Sequence, residues 1–306
     1  MSAPEIVCIG EPLFELNQPA GETVFRPGHG GDTSNAAIAA ARQGARVAYV
    51  TAIGADQFGE SFMDLWASEG VDTSAVARSQ SAHTGLYFVR HGPDGHTFSY
   101  MRAGSAASRM TDQDVPTALI EGARVLHASG ISQAISSSAA DTVFTAMRVA
   151  RAAGVLVSYD TNLRLRLWPL DRARGVIHAA AALADILRPS LDDAIHLTGL
   201  AEPDLIVDYY LSLGPRIVAL TLGGRGALVA TRDRRETIAP WPADVVDATG
   251  AGDMFDGAFL AEYLRGSDPF AAARYANVAA ALSTGGYGAV APMPRRAQVE
   301  AAMSGA

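Results

Sequence analysis

The residues best placed to do chemistry lie in the run DATGAGDMFDGAFL, Asp247 to Leu260. Phe255, Ala258, Phe259 and Tyr263 recur at three- and four-residue spacing, which predicts a helix. Gly250 and Gly252 fall where a loop must turn into that helix. Glycine there lets backbone N–H groups approach an anion, and the helix start adds partial positive charge. Asp253 follows in the first turn. A carboxylate beside an anion-binding helix start can take the proton of a hydroxyl that attacks a phosphate. On spacing alone Asp253 fits a helix cap equally well, because aspartate is a common capping residue.

Three other loops carry polar residues at expected strand ends. GGDTSN offers Gly31, Asp32 and Asn35, whose backbone and side chains suit a polyol; a cap by Asp32 or Thr33 is the plainer alternative. The loop from Asp160 to Trp168 holds Arg164, and Arg102 follows a strand. Guanidinium groups there could clamp a carboxylate or phosphate, although each arginine also reads as ordinary surface. LGGRG, ending at Gly226, is a weak match to a dinucleotide fingerprint and also reads as a plain hairpin turn.

All 24 basic residues are arginine, and the chain has no lysine. That excludes a Walker A lysine, a protein-kinase lysine and a Schiff-base lysine. No G-x-S-x-G elbow is present, and the seven histidines show no metal-ligand spacing. The net charge of −8 speaks against nucleic acid or an anionic membrane as partner. The single Cys8 lies in an apolar run, so disulfides are not a framework and a reducing cytoplasm is expected. The N-terminus runs straight into a strand pattern without signal-peptide features, and no stretch reaches membrane-spanning length.

The elements that position these loops alternate between strand and helix, which predicts an α/β domain with a parallel sheet. Strands are expected at Glu5–Gly10, Arg46–Ile53, Arg124–Ala128, Val155–Asp160, Asp185–Leu187, Ile217–Thr221 and Ala227–Thr231. Gly28, Gly30 and Gly31 read as a loop. One piece breaks the alternation: Thr84 to Arg102 reads as a β-hairpin around a Gly/Pro/Asp turn. With an early segment it is expected to form a small flap, with lid segments at about 13–26 and 84–102 of a single domain spanning 1–306. A flap rich in strand edges predicts a homodimer or a dimer-based assembly.

GGDTSNAA near one end and DATGAGDMFDGAF near the other resemble the two signature regions of the PfkB, or ribokinase-like, carbohydrate kinases, in the same order and separation. The resemblance implies a three-layer α/β/α sandwich with a β-sheet lid, and transfer of phosphate from ATP to a sugar hydroxyl. It assigns Asp253 as the base, and the amides of Gly250, Ala251 and Gly252 as the anion hole. It implies Ser190, Thr221, Gly223, Gly226, Gly250, Gly252 and Asn277 as the nucleotide-binding positions. The family's Asn-x-x-Glu, which organises Mg²⁺ through water, stands here as Ser190-Leu191-Asp192-Asp193, so Asp193 takes the place of the glutamate with a shorter reach. Asp247 and Thr249 match a monovalent-cation site, potassium being the expected ion.

GEPLFELN, TGLYF, TFSYMRAGSAAS and DTNLRLRLW are further similar to the members that phosphorylate the C6 hydroxyl of 2-keto-3-deoxygluconate. By that likeness Arg102 and Arg164 contact the sugar acid's carboxylate, Tyr87 and Tyr100 cover the sugar, and Gly31 and Asn35 bind its hydroxyls. Some members carry an acidic residue before the final Gly-Ala, where this chain has Tyr287. The remaining alternatives are a kinase for a neutral sugar or nucleoside, and a non-catalytic sugar- or nucleotide-binding regulator.

Overall fold

A computed structural model describes residues 3–19, 21–92 and 95–305. The chain opens with β1 (Ile6–Ile9), then β2 (Leu13–Gln18), β3 (Arg26–Gly30), α1 (Asp32–Arg42), β4 (Val47–Gly54), α2 (Gln57–Ser68) and β5 (Val76–Ser79). The hairpin β6 (Gly85–Gly92) and β7 (Gly95–Met101) follows; Pro93 and Asp94 of its expected turn lie outside the described residues. Next come α3 (Thr117–Glu121), β8 (Val125–Ser129), α4 (Gly130–Ala134), α5 (Ser137–Ala152), β9 (Leu156–Asp160), α6 (Leu170–Ala181) and β10 (Ile186–Arg188). The last part holds α7 (Leu191–Thr198), α8 (Pro203–Leu213), β11 (Ile217–Thr221), β12 (Ala227–Ala230), β13 (Arg235–Ile238), α9 (Ala251–Leu264), α10 (Pro269–Ser283) and α11 (Arg296–Ser304).

Nine strands form one sheet in the order β13-β12-β11-β10-β9-β8-β1-β4-β5. The strands from β11 to β5 are parallel, and β12 and β13 close one edge antiparallel. Alternate residues of each strand enter opposite cores, as the two-residue pleat requires. Ile6, Cys8, Val47 and Tyr49 pack with α1, α2, α9 and α10 on one face. Val7, Ile9, Ala48 and Val50 pack with α5, α6 and α8 on the other. These are the three layers of a ribokinase-like fold. The C-terminal ends of β1, β8, β9, β10 and β11 therefore share one rim, where ligands of such sheets collect.

The lid is a four-stranded sheet, β3-β2-β6-β7. Its boundary differs from the expected 13–26 segment, because Arg26–Gly30 is a strand paired antiparallel with β2 rather than a loop. Gly28 and Gly30 misled the pattern reading. A Cβ on Gly30 would sit 2.7 Å from the Tyr87 hydroxyl, and one on Gly28 would sit 3.2 Å from Glu15 Oε1. These strand glycines make room for side chains crossing the lid's inner face.

Candidate active site

Helix α9 starts at Gly250, in the left-handed region (φ 77°), with no side chain capping it. Asp253 is therefore not a cap. Its Oδ2 instead accepts from Asn35 Nδ2 on α1 at 2.8 Å. The amide of Ala251 turns back to the carbonyl of Ala248 at 3.2 Å. The amides of Gly252 and Asp253 donate no hydrogen bond among the described residues, so they are open to an anion. Burial pushes the Asp253 carboxyl up to about 7, and the nearby Asp32 adds to the rise while Asn35 opposes it. A carboxyl tuned near neutrality suits proton transfer at working pH.

On the lid side, Asp32 is not a cap either. Its Oδ2 accepts from Ser129 Oγ and from Asn162 Nδ2. Asn162 is the one non-glycine residue with positive φ (31°) among those described, a backbone strain kept where it aims a side chain at Asp32. Asp32 Oδ1 and Asn35 Oδ1 are buried without a partner. Two orphaned acceptors beside Asp253 fit the hydroxyl donors of a polyol.

Tyr87 and Tyr100 stand opposite each other on β6 and β7 with stacked rings 6.0 Å apart. Tyr87 is buried, and its hydroxyl is committed to Glu15. Tyr100 is exposed and lies beneath the Arg102 guanidinium, 5.8 Å away. Arg102 is not a free cation. Its Nε donates to Glu11 Oε2 at 2.8 Å, its Nη2 lies 2.5 Å from the same oxygen, and Ser105 Oγ donates to Glu11 Oε1 at 2.5 Å. Arg164 is exposed, and its Nη1 donates only to the carbonyl of Leu163 at 2.9 Å. Arg166 Nη1 reaches the Phe98 carbonyl at 3.4 Å and ties that loop to the lid.

A cavity of about 610 Å³ opens on the other side of the α9 start. It is lined by Ser190, Thr221, Gly223, Gly226, Gly252 and Asn277 from the expected nucleotide positions, and by Trp241 and Phe255. Gly250 does not line it. The short 3-10 turn Gly223–Arg225 joins β11 to β12, so LGGRG is both a hairpin and a cavity wall. A second cavity, about 630 Å³, lies between the β3 edge and residues 287–291, with Glu15, His29 and Tyr287 in its wall. It is of similar size, but its wall includes neither Asp253 nor the α9 start.

Arg188, Asp160 and Asp256 were not singled out by sequence. Arg188 ends β10 at the shared rim; its Nε donates to Asp256 Oδ1 at 2.9 Å and its Nη2 to Asp256 Oδ2 at 2.7 Å and to Asp160. Burial disfavours its charge, but the two carboxylates outweigh that and raise its pKa. Asp160, Asp253 and Asp256 approach one another closely enough to hold a metal. Arg188 already neutralises two of them, which makes the group an ion-pair cluster. A charged residue in the otherwise apolar strand ILR was the available signal.

Ser190 caps α7 by accepting the amide of Asp193 at 3.2 Å. Asp193 Oδ2 accepts the amide of Leu163 at 3.0 Å, and the carboxyl also interacts with Ser190 and Arg164. Magnesium in phosphoryl-transfer sites keeps several waters and takes few protein ligands. A carboxylate in the first turn of α7, whose Ser190 and Asp192 line the cavity, fits a hold through water. Asp247 Oδ1 accepts from the amide and hydroxyl of Thr249 at 2.9 and 2.7 Å, and Oδ2 from the amide of Gly288 at 3.0 Å.

A half-buried carboxylate at an uncapped helix start, between a nucleotide-sized cavity and the orphaned acceptors of Asp32 and Asn35, defines a phosphotransferase acting on an alcohol. The chain belongs to the pfkB family of carbohydrate kinases, whose profile matches residues 3–296. It is 35% identical to a 2-dehydro-3-deoxygluconokinase of Thermoproteus tenax (96% of this chain, 93% of the relative). It is 34% identical to one of Bacillus subtilis (98% and 95%). A fructokinase of rice, Oryza sativa subsp. japonica, is 33% identical (88% and 86%). Among solved structures, a PfkB protein from Polaromonas sp. JS666 superposes with a TM-score of 0.89 at 31% identity, covering 98% of this chain and all of that one. A putative ribokinase II from E. coli, in complex with ATP and Mg²⁺, gives 0.92 at 25% identity over the full length of both chains.

Proposed function

We propose that the protein is an ATP-dependent kinase that phosphorylates the C6 hydroxyl of 2-keto-3-deoxygluconate. The observation that carries the reaction is the Asn35–Asp253 contact, which sets a near-neutral carboxyl between the orphaned acceptors of the polyol loop and the nucleotide cavity. Asp253 takes the proton of the attacking hydroxyl. The hydroxyl oxygen bonds to the γ-phosphorus, the bond to the β,γ-bridging oxygen breaks, and ADP leaves with the bonding pair. The open amides of Gly252 and Asp253 receive the charge that develops. Asp193 would hold Mg²⁺ through water, and the ion would supply charge neutralisation to the polyphosphate.

Arg164 and the two relatives that match over nearly their full length support a sugar acid as acceptor. A neutral sugar is the second reading, and one observation favours it: Glu11 already pairs Arg102, so of the two expected carboxylate contacts Arg164 is the one without a salt bridge among the described residues. A coupled ADP-release assay with 2-keto-3-deoxygluconate, fructose and ribose decides between them. The expected result is a kcat/KM preference for the sugar acid. Arg164→Ala is expected to raise KM for the acid and leave KM for fructose unchanged. A stronger rate on a neutral sugar sinks the acid reading. Potassium replaced by tetramethylammonium in the same assay tests the Asp247–Thr249 site, with slower turnover expected. A cytoplasmic location follows from such a substrate.

A further inference from the structure

We propose that Arg188 contacts the transferring phosphoryl group through its Nη1. This rests on the kinase reading above. Of its guanidinium nitrogens, Nε and Nη2 are taken by Asp256 and Asp160, while Nη1 makes no hydrogen bond among the described residues. Arg188 is only 8% exposed, yet it lines the nucleotide cavity. A Cβ on Gly252 would sit 3.1 Å from both Nη1 and Nη2. The glycine therefore leaves the guanidinium face uncovered beside the open amides of the helix start.

Charge balance points the same way. The cavity wall holds two cations, Arg188 and Arg225. Arg225 is exposed in the Gly223–Arg225 turn, whereas Arg188 lies buried next to Asp253. The chain has no lysine to place an ammonium on the phosphates. A fixed guanidinium in a water-poor site favours the charge that develops there as the γ-phosphorus leaves ADP's oxygen for the sugar's. Asp160 and Asp256 fix the orientation of that donor and leave one edge for the ligand. The competing role is a purely structural clamp between β9, β10 and α9, which would weaken every ligand together.

Arg188→Lys separates the two, because lysine keeps the cation against Asp160 and Asp256 but loses the forked reach. The probe is ADP with aluminium fluoride and the acceptor sugar, titrated calorimetrically beside ADP alone. Expected are a fall in kcat of about 10²-fold, a similar loss of affinity for the aluminium fluoride complex, and ADP affinity within about threefold of wild type. Gly252→Ala, whose methyl covers the guanidinium, is the second variant, and the same selective loss is expected. Exogenous methylguanidinium is expected to restore kcat to Arg188→Ala without raising its melting temperature. Equal weakening of ADP and the aluminium fluoride complex, or a kcat for Arg188→Lys near wild type, overturns the proposal. A wild-type protein that phosphorylates no sugar removes the kinase reading itself and this inference with it.

Discussion

Asp253 carries a testable signature in both rate and stability. Its carboxyl is raised to about 7, so kcat/KM is expected to fall about tenfold per pH unit below that value. Asp253→Asn should lose about 10²–10⁴-fold in kcat while keeping the acceptor that Asn35 needs. Its effect on stability has the opposite sign. A carboxyl with a raised folded-state pKa binds its proton more tightly in the folded chain than in the unfolded one, so stability drains away as pH rises from the ordinary carboxyl value through about 7. Asp253→Asn removes that drain. Its melting temperature should exceed wild type by a wider margin at about pH 8 than at about pH 5; a variant no more stable than wild type at the higher pH would show that the carboxyl is not held in a disfavoured state. Arg102 behaves differently from Arg164 at this scale. Arg102→Ala strands the buried Glu11 carboxylate, so a loss of about 3–5 kcal/mol is expected in denaturant titration. Arg164→Ala touches no ion pair and should leave the unfolding midpoint unchanged.

The Asn35–Asp253 contact depends on how closely α1 and α9 pack. A Cβ on Gly257 would lie 2.5 Å from the Ala36 carbonyl and 2.5 Å from the Ala39 methyl, so only glycine permits the approach. Gly257→Val should push the helices apart at a cost of about 1–3 kcal/mol and lower kcat by lengthening the bond to Asp253. Retained kcat in a destabilised variant would show that the helix spacing does not set the geometry. The rim of strand ends works alongside this helix pair. Ser129 ends β8, Asp160 ends β9 and Arg188 ends β10, and their side chains converge although the residues lie far apart in sequence.

Across the whole molecule, one face of the lid carries exposed apolar side chains. Phe25 and Phe88 meet edge to face at 5.6 Å, Met101 pairs with Leu86 in register, and Val24, Phe25 and Met101 are exposed. A second copy pairing through its own lid would cover this face. Light scattering is expected to give a dimer for the wild type and a monomer for Phe25→Glu/Met101→Glu. A monomeric wild type sinks this expectation. Among the described residues no helix is long and apolar enough to cross a membrane.

Sequence alone determined the strand–helix alternation, the polar glycine loop at Gly31 to Asn35 and the Asp247–Asp253 run, because each is written in local spacing and residue type. The family resemblance named Ser190, Thr221, Gly223, Gly226 and Asn277, and the fold brings them to one cavity wall. Sequence could not tell a capping Asp253 from one held by Asn35, since that choice depends on a contact across two helices far apart in the chain. It read Gly28 and Gly30 as a loop because the side chains that need their space, Glu15 and Tyr87, come from other strands. It offered Arg102 as a free cation because nothing in the residue itself reveals that Glu11 lies beside it. Only the tertiary structure decided these points and set Arg188 under the helix start. Pairing between distant strand ends follows from sheet order and packing, which no local window of sequence contains.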